Sequence, residues 1–262
     1  MGGILLAAVV GCDVKPSVVT LDVTAVAPTT DVKDLAAVLK RCVDKNGFID
    51  VDKYRSVAGR LERQLARLAV SGPDASGQLY PTADDRLAYW YNARAAWSIA
   101  LAMRLHNKEK KKDAAGLKAF LFPLNGRQMT LEEIDRAVFA LGGYQAVVAA
   151  PGAALQCAAL PEEPFTAQTI RRAVRLRFGA FVDDWRRFVI DVETQQIRFP
   201  PVLWRYRESI LAEQDKRYGT PRATFTTAML PLVSGSAVRR LQDAVGYTCV
   251  ENIAPDELTL RE

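Results

Sequence analysis

Residues 82–105 read T-A-D-D-R-L-A-Y-W-Y-N-A-R-A-A-W-S-I-A-L-A-M-R-L, and the fold turns on this stretch. Thr82 and Asp85 stand three residues apart, the spacing of a capping box with Asp in place of the usual Glu, which opens a helix over Ala83–Leu105. Trp90, Trp97, Leu101 and Leu105 share one side of that helix, while Tyr91, Ala95, Ile99 and Ala102 line another. An amphipathic surface helix shows one apolar stripe; a surface this wide predicts a central helix covered on most sides.

The flanking sequence supplies the cover. Upstream, Leu35, Val38, Leu39 and Cys42 recur at helical spacing within Val32–Cys42, and Asn46-Gly47 supplies a stop. A short extended piece at Phe48–Val51 precedes a second helix, Asp52 to about Val70, and Ser71–Pro81 has the composition of a loop. Downstream, the Lys108–Lys112 run is a solvated connector, because like charges repel and seek water. Leu117–Phe122, Asn125-Gly126 and Arg127–Met129 spell a small hairpin. Thr130 and Glu133 form a second capping box, whose helix ends near Gly142-Gly143, and Tyr144–Ala150 is expected as a buried strand. Thr166–Asp183 predicts a basic amphipathic helix with Ile170, Val174, Leu176 and Phe181 inward. Its Arg171, Arg172 and Arg175 face either water or an anionic membrane surface. Arg187–Asp191 and Gln196–Phe199 are short strands, followed by helices around Trp204–Ile210 and Val238–Val245. The class is therefore α+β: a mainly helical single domain over residues 32–262, with a central buried helix and a small antiparallel sheet or hairpins.

The chain has 262 residues, 49% hydrophobic and 25% charged, enough for one substantial core. No apolar run reaches the ~18 residues of a membrane-spanning helix. The net charge of +5 is spread among almost as many acids, so nucleic acid is not an expected partner. Cys42, Cys157 and Cys249 lack the close spacing of a zinc site, and neither metal nor cofactor is expected. In an oxidising compartment one pair of these thiols has the option of a disulfide, and the sequence does not choose the pair.

The opening M-G-G-I-L-L-A-A-V-V-G-C is an uncharged apolar stretch that stops at Asp13. With Val9, Val10 and Gly11 before Cys12 it resembles a bacterial lipoprotein signal, although no Lys or Arg precedes the cysteine. The resemblance implies a signal peptide over residues 1–11, lipidation of Cys12, and an exported, membrane-anchored protein facing the periplasm or cell exterior. The competing reading makes residues 4–10 a buried strand or helix start with Cys12 as a core thiol. Residues 12–31, mixing Val, Thr, Asp and Pro without helical period, are expected to be an extended tether.

The order of motifs resembles the family called domain of unknown function 547. Leu87-Ala88-Tyr89-Trp90-Tyr91-Asn92-Ala93 is similar to its Leu-Ala-Phe-Trp-Ile-Asn-Ala signature. The Gly126–Asp135 segment is similar to its hairpin and Ser-Leu-Asp-Asp-Ile-Glu run, and Cys157-Ala158-Ala159-Leu160 to its Cys-Pro-Pro-Leu. Phe181–Asp184 and Val202–Tyr206 correspond to its strand-flanking motif and Trp-Tyr helix. The chain departs from the pattern where the family carries polar groups. Arg94-Ala95 stands in place of a Tyr-Asn pair, Arg136 in place of one histidine, Gln145 or Val147 in place of another, and the first of two cysteines is missing within Ala149–Gly152.

These departures set the functional expectations. Trp90, Asn92, Arg94, Arg136 and Gln145, at or beside the matched positions, are candidate binding residues, with Asn92 expected as a buried hydrogen-bonding amide. The first reading is a non-catalytic envelope domain that binds a protein, peptide or surface ligand. The alternative is a thiol-dependent hydrolase or transferase with Cys157 as nucleophile, assisted by a carboxylate or by His106, the chain's single histidine, at the exposed-looking end of the long helix.

Overall fold

The hydroxyl of Thr82 accepts from the Asp85 backbone N–H, and the Asp85 carboxylate accepts from the Thr82 N–H, so the shortened capping box forms as the spacing requires. In a computed structural model, which describes residues 16–109, 113–219 and 224–261, the helix it opens runs over Ala83–Glu109. Every residue from Leu87 to Met103 is buried.

The elements, in chain order, are β1 (Ser17–Val18), α1 (Lys33–Cys42), β2 (Ile49–Asp50), α2 (Val51–Arg55), α3 (Ala58–Val70), α4 (Ala83–Glu109), β3 (Phe120–Leu124) and β4 (Arg127–Met129). They continue with α5 (Leu131–Ala149), α6 (Ile170–Asp183), β5 (Val189–Asp191), β6 (Gln196–Phe199), α7 (Pro201–Arg205), α8 (Arg207–Tyr218), α9 (Phe225–Met229), α10 (Gly235–Asp243), β7 (Thr248–Glu251) and β8 (Leu260–Arg261). The class is mainly helical α+β. Helix α4 is the axis, with α3, α5 and α6 packed around it. Trp97 stacks on Phe122 of β3 with ring centroids 4.3 Å apart, and Tyr91 meets Phe165 edge to face at 5.0 Å. Leu35, Val38, Leu39 and Cys42 of α1 are all buried, as their spacing predicts. Asp34, at the start of the same helix, is buried beneath Arg63 and Arg67 of α3, both 3.1 Å from its carboxylate.

The sheets are small and mixed, not purely antiparallel. β3 and β4 form the expected hairpin, but β1 joins β3 in parallel; β5 and β6 are antiparallel, but β7 adds to β6 in parallel; β2 pairs β8 in parallel. Partners for these short strands come from chain segments far away in sequence, which local periodicity does not report.

Four local expectations are corrected. Of the predicted strand Tyr144–Ala150, all but the capping Ala150 is the last part of α5, bent at Gly143 (φ 64°, ψ −166°). A short, wholly buried apolar run has no exposed face, so period alone does not separate strand from helix. The helix predicted over residues 52–70 breaks between α2 and α3, where the Ser56 hydroxyl donates back to the Lys53 carbonyl at 2.7 Å. Leu176 of α6 points outward and is 62% exposed, among the outward arginines. The described part of the supposed tether is packed on the domain. Val19 is buried and its N–H donates to the Leu121 carbonyl at 2.7 Å, while the Thr29 N–H donates to Ser71 Oγ at 2.9 Å. A valine-rich extended segment gains more by completing a sheet edge than by remaining in water. The signal-like residues 1–11, Cys12, and Lys110–Lys112 of the basic run lie outside the described residues.

Candidate functional site

Helix α5 ends among its own unsatisfied carbonyls, as every helix does, and side chains from α4 and α6 close them. Tyr91 Oη donates to the Ala146 carbonyl at 2.5 Å and Arg177 Nε to the Ala149 carbonyl at 2.9 Å. Arg94 Nη1 donates to the Pro151 carbonyl just beyond the helix. Arg94 is buried, and its Nε also donates to Asp135 Oδ1 at 2.6 Å. Burial works against the Arg94 charge, yet Asp135 and the neighbouring Cys157 thiol hold its pKa above the ordinary value. The matched motifs of α4, the Ile134-Asp135 pair and the cysteine segment therefore meet at one place. The space is tight: a Cβ added to Gly152 would lie 2.7 Å from Cys157 Cβ and 2.9 Å from Arg94 Nη1.

Cys157 opens from this network onto a cleft of about 700 Å³, also lined by Phe48, Gln156, Arg186, Arg187 and Thr259. Burial pushes the Cys157 thiol up, against the opposing pull of Arg94. Asp256 is likewise pushed up by burial, although it accepts the Gln156 N–H at 3.0 Å. Burial lowers Arg187, which keeps Asp184 at 3.5 Å and donates to the Leu155 carbonyl at 2.8 Å.

His106 does not belong to this site. It lies on α4 twelve residues beyond Arg94 (106 − 94), a rise of about 18 Å, and no hydrogen bond joins it to Cys157. Contrary to its exposed look in the sequence, it is buried, with Nδ1 unpartnered. Trp90 and Asn92 face elsewhere. Trp90 packs edge to face on Tyr89, and Asn92 exchanges two hydrogen bonds with the Phe165 backbone, at 2.9 Å through Nδ2 and 2.8 Å through Oδ1. Asn92 thus ties α4 to the segment before α6. Arg136 is on the surface, 3.3 Å from Glu132, and Gln145 is half-buried beside the Tyr144 hydroxyl. Of the candidates read from sequence, only Arg94 and Cys157 come together.

Asp135, Gln156, Asp184, Arg187, Asp256 and Thr259 are the residues that sequence reasoning passed over. Asp135 had a signal, its place in the matched Ile-Asp pair. Asp184 had one as well, its place in the Phe181–Asp184 segment, whereas Gln156, Arg187, Asp256 and Thr259 come from segments with no local motif, joined by pairings such as Ala154 with Leu258. Cys42, Cys157 and Cys249 are free thiols. Among the described residues no group of three or more His, Cys, Asp or Glu side chains is placed to hold a metal ion. No protein-family model, curated protein or solved structure matches the chain.

Proposed function

We propose that this is an exported, lipid-anchored protein of the cell envelope whose domain binds a ligand without performing chemistry on it, on a scaffold like that of the domain of unknown function 547 family. The observation that carries this reading is the setting of Cys157. A thiol nucleophile needs a base or an uncommitted cation to supply thiolate. Here Arg94 does not accept a proton in a protein and its charge is already matched by Asp135, Arg187 is paired with Asp184, and the Asp256 carboxylate pushes the thiol further up, so burial prevails and thiolate is not supplied. The cleft in front of the thiol then serves as a binding site with a packed wall.

The test follows thiolate chemistry. The folded thiol titrates above its ordinary value, so it is protonated at neutral pH. Alkylation of Cys157 by iodoacetamide in the native protein is expected to be slow at pH 7 and to keep rising through and beyond pH ~9, the region where an ordinary thiol levels off. Peptidase, esterase or acyl-transfer activity that disappears in Cys157→Ala would overturn the reading. The anchor has its own test. In a bacterial host the full chain should incorporate labelled palmitate, and Cys12→Ser should not; equal labelling of both would remove the lipid anchor from the proposal.

A further inference from the structure

The cleft beside Cys157 holds polar atoms that the chain leaves without partners. Thr259 is 5% exposed, and its hydroxyl has no hydrogen-bond partner. Gln156 donates Nε2 to the Ala254 carbonyl at 3.2 Å, while its Oε1 is buried and unpartnered. Arg187 is fixed beside them by the Leu155 carbonyl, by the Phe181 ring 4.2 Å away and by Asp184, 3.5 Å from its Nε. A buried polar atom left unmatched is destabilising until a partner is supplied. Two such atoms on one cleft, Gln156 Oε1 and the Thr259 hydroxyl, mark where a ligand supplies the missing partners.

Charge narrows the ligand. Asp184 faces both Arg186, at 2.7 Å, and Arg187, at 3.5 Å, while Asp256 bears on both Arg187 and Lys118, so three cations meet two carboxylates and one positive charge is left over. That surplus suits a monoanion better than a run of phosphates. The cleft's aromatic wall, Phe48, already carries the Arg261 guanidinium 4.9 Å from its centroid, which occupies a face that a base would need for stacking. Phe48, Leu155 and Pro200 give apolar walls, and an amide oxygen and a hydroxyl remain to pair with main-chain groups.

We propose that this cleft binds a peptide segment bearing a carboxylate, with the carboxylate on the Arg186–Arg187 pair and the peptide amides on Gln156 and Thr259. This deepens the binding reading above and rests on it only in taking the cleft as the ligand site.

Three peptides form the probe set for the purified full chain: acetyl-Ala-Ala-Ala with a free carboxylate, the same peptide as its amide, and acetyl-Ala-Asp-Ala-amide. Binding is read by calorimetry and by slowed alkylation of Cys157 with N-ethylmaleimide, which localises it to the cleft. The free-acid peptide should slow alkylation and bind about tenfold more tightly than its amide, the difference expected for one charge-assisted hydrogen bond. Arg187→Gln should abolish that difference. Because Arg187 also holds the Leu155 carbonyl, Arg186→Gln serves as a second variant, with a side chain 75% exposed in the parent and a smaller loss of the same preference expected. Protection by the Asp peptide and not by the free-acid tripeptide assigns the carboxylate to a side chain, and the converse assigns it to a chain end.

Equal affinity for all three peptides, or no protection by any of them at millimolar concentration, would overturn the proposal and leave the non-catalytic reading standing. Cleavage of a peptide that depends on Cys157 would do the opposite, removing the non-catalytic reading while the carboxylate preference stands.

Discussion

Arg94 is the residue on which the most depends. Its three kinds of contact, with the Asp135 carboxylate, the Pro151 carbonyl and the Cys157 sulfur, join α4, α5 and the cysteine segment. A buried ion pair is not in itself a large source of stability, but removing one member strands the other in a low-dielectric site. Arg94→Ala should therefore cost about 3–5 kcal/mol, measured by urea unfolding. Arg205, 4.0 Å from Asp135, is too distant and exposed to take over. The double change Arg94→Met with Asp135→Leu should recover much of the loss, since no unpaired carboxylate is left behind. A single variant as stable as the parent would show that the pair is hydrated in solution.

At the scale of the element, α5 shows how one residue decides between helix and strand. Gly143 has φ 64° and ψ −166°, a region essentially reserved for glycine, and it lets the helix turn at that point and run on as Tyr144–Ala149. The redirected turn presents the carbonyls of Ala146 and Ala149 to Tyr91 and Arg177. Nothing crowds a Cβ at position 143, so the penalty of Gly143→Ala is one of backbone conformation alone. It should destabilise by about 1–3 kcal/mol, visible as a lowered melting temperature. The capping boxes were legible element by element: Thr130 with Glu133 is reciprocal in the structure, as is Thr82 with Asp85. A cap needs only a hydroxyl and a carboxylate three residues apart, so it is written locally. The kink was legible only as a stop, since Gly142-Gly143 ends a helix in one environment and bends it in another.

At the scale of the whole molecule, the segment before α1 is part of the fold. Val19 is buried and β1 extends the β3–β4 hairpin into a sheet of three strands. Val19→Ala, which removes two buried methylene equivalents at about 0.8 kcal/mol each, should lower stability by roughly 1.5 kcal/mol. An unchanged unfolding midpoint would mean that the segment is only loosely laid on the sheet. The central helix, the α1 core face and the class were present in the sequence because amphipathic width and helical period are properties of neighbouring residues. Arg94 and Cys157 were also marked there, but not as partners. What only the tertiary structure decided was the choice of neighbours. It placed a guanidinium, not the imidazole of His106, beside the thiol, and gathered Gln156, Arg187 and Thr259 around one cleft. Those contacts join residues separated by tens of positions, and their energies depend on burial and distance, quantities that a linear pattern does not contain.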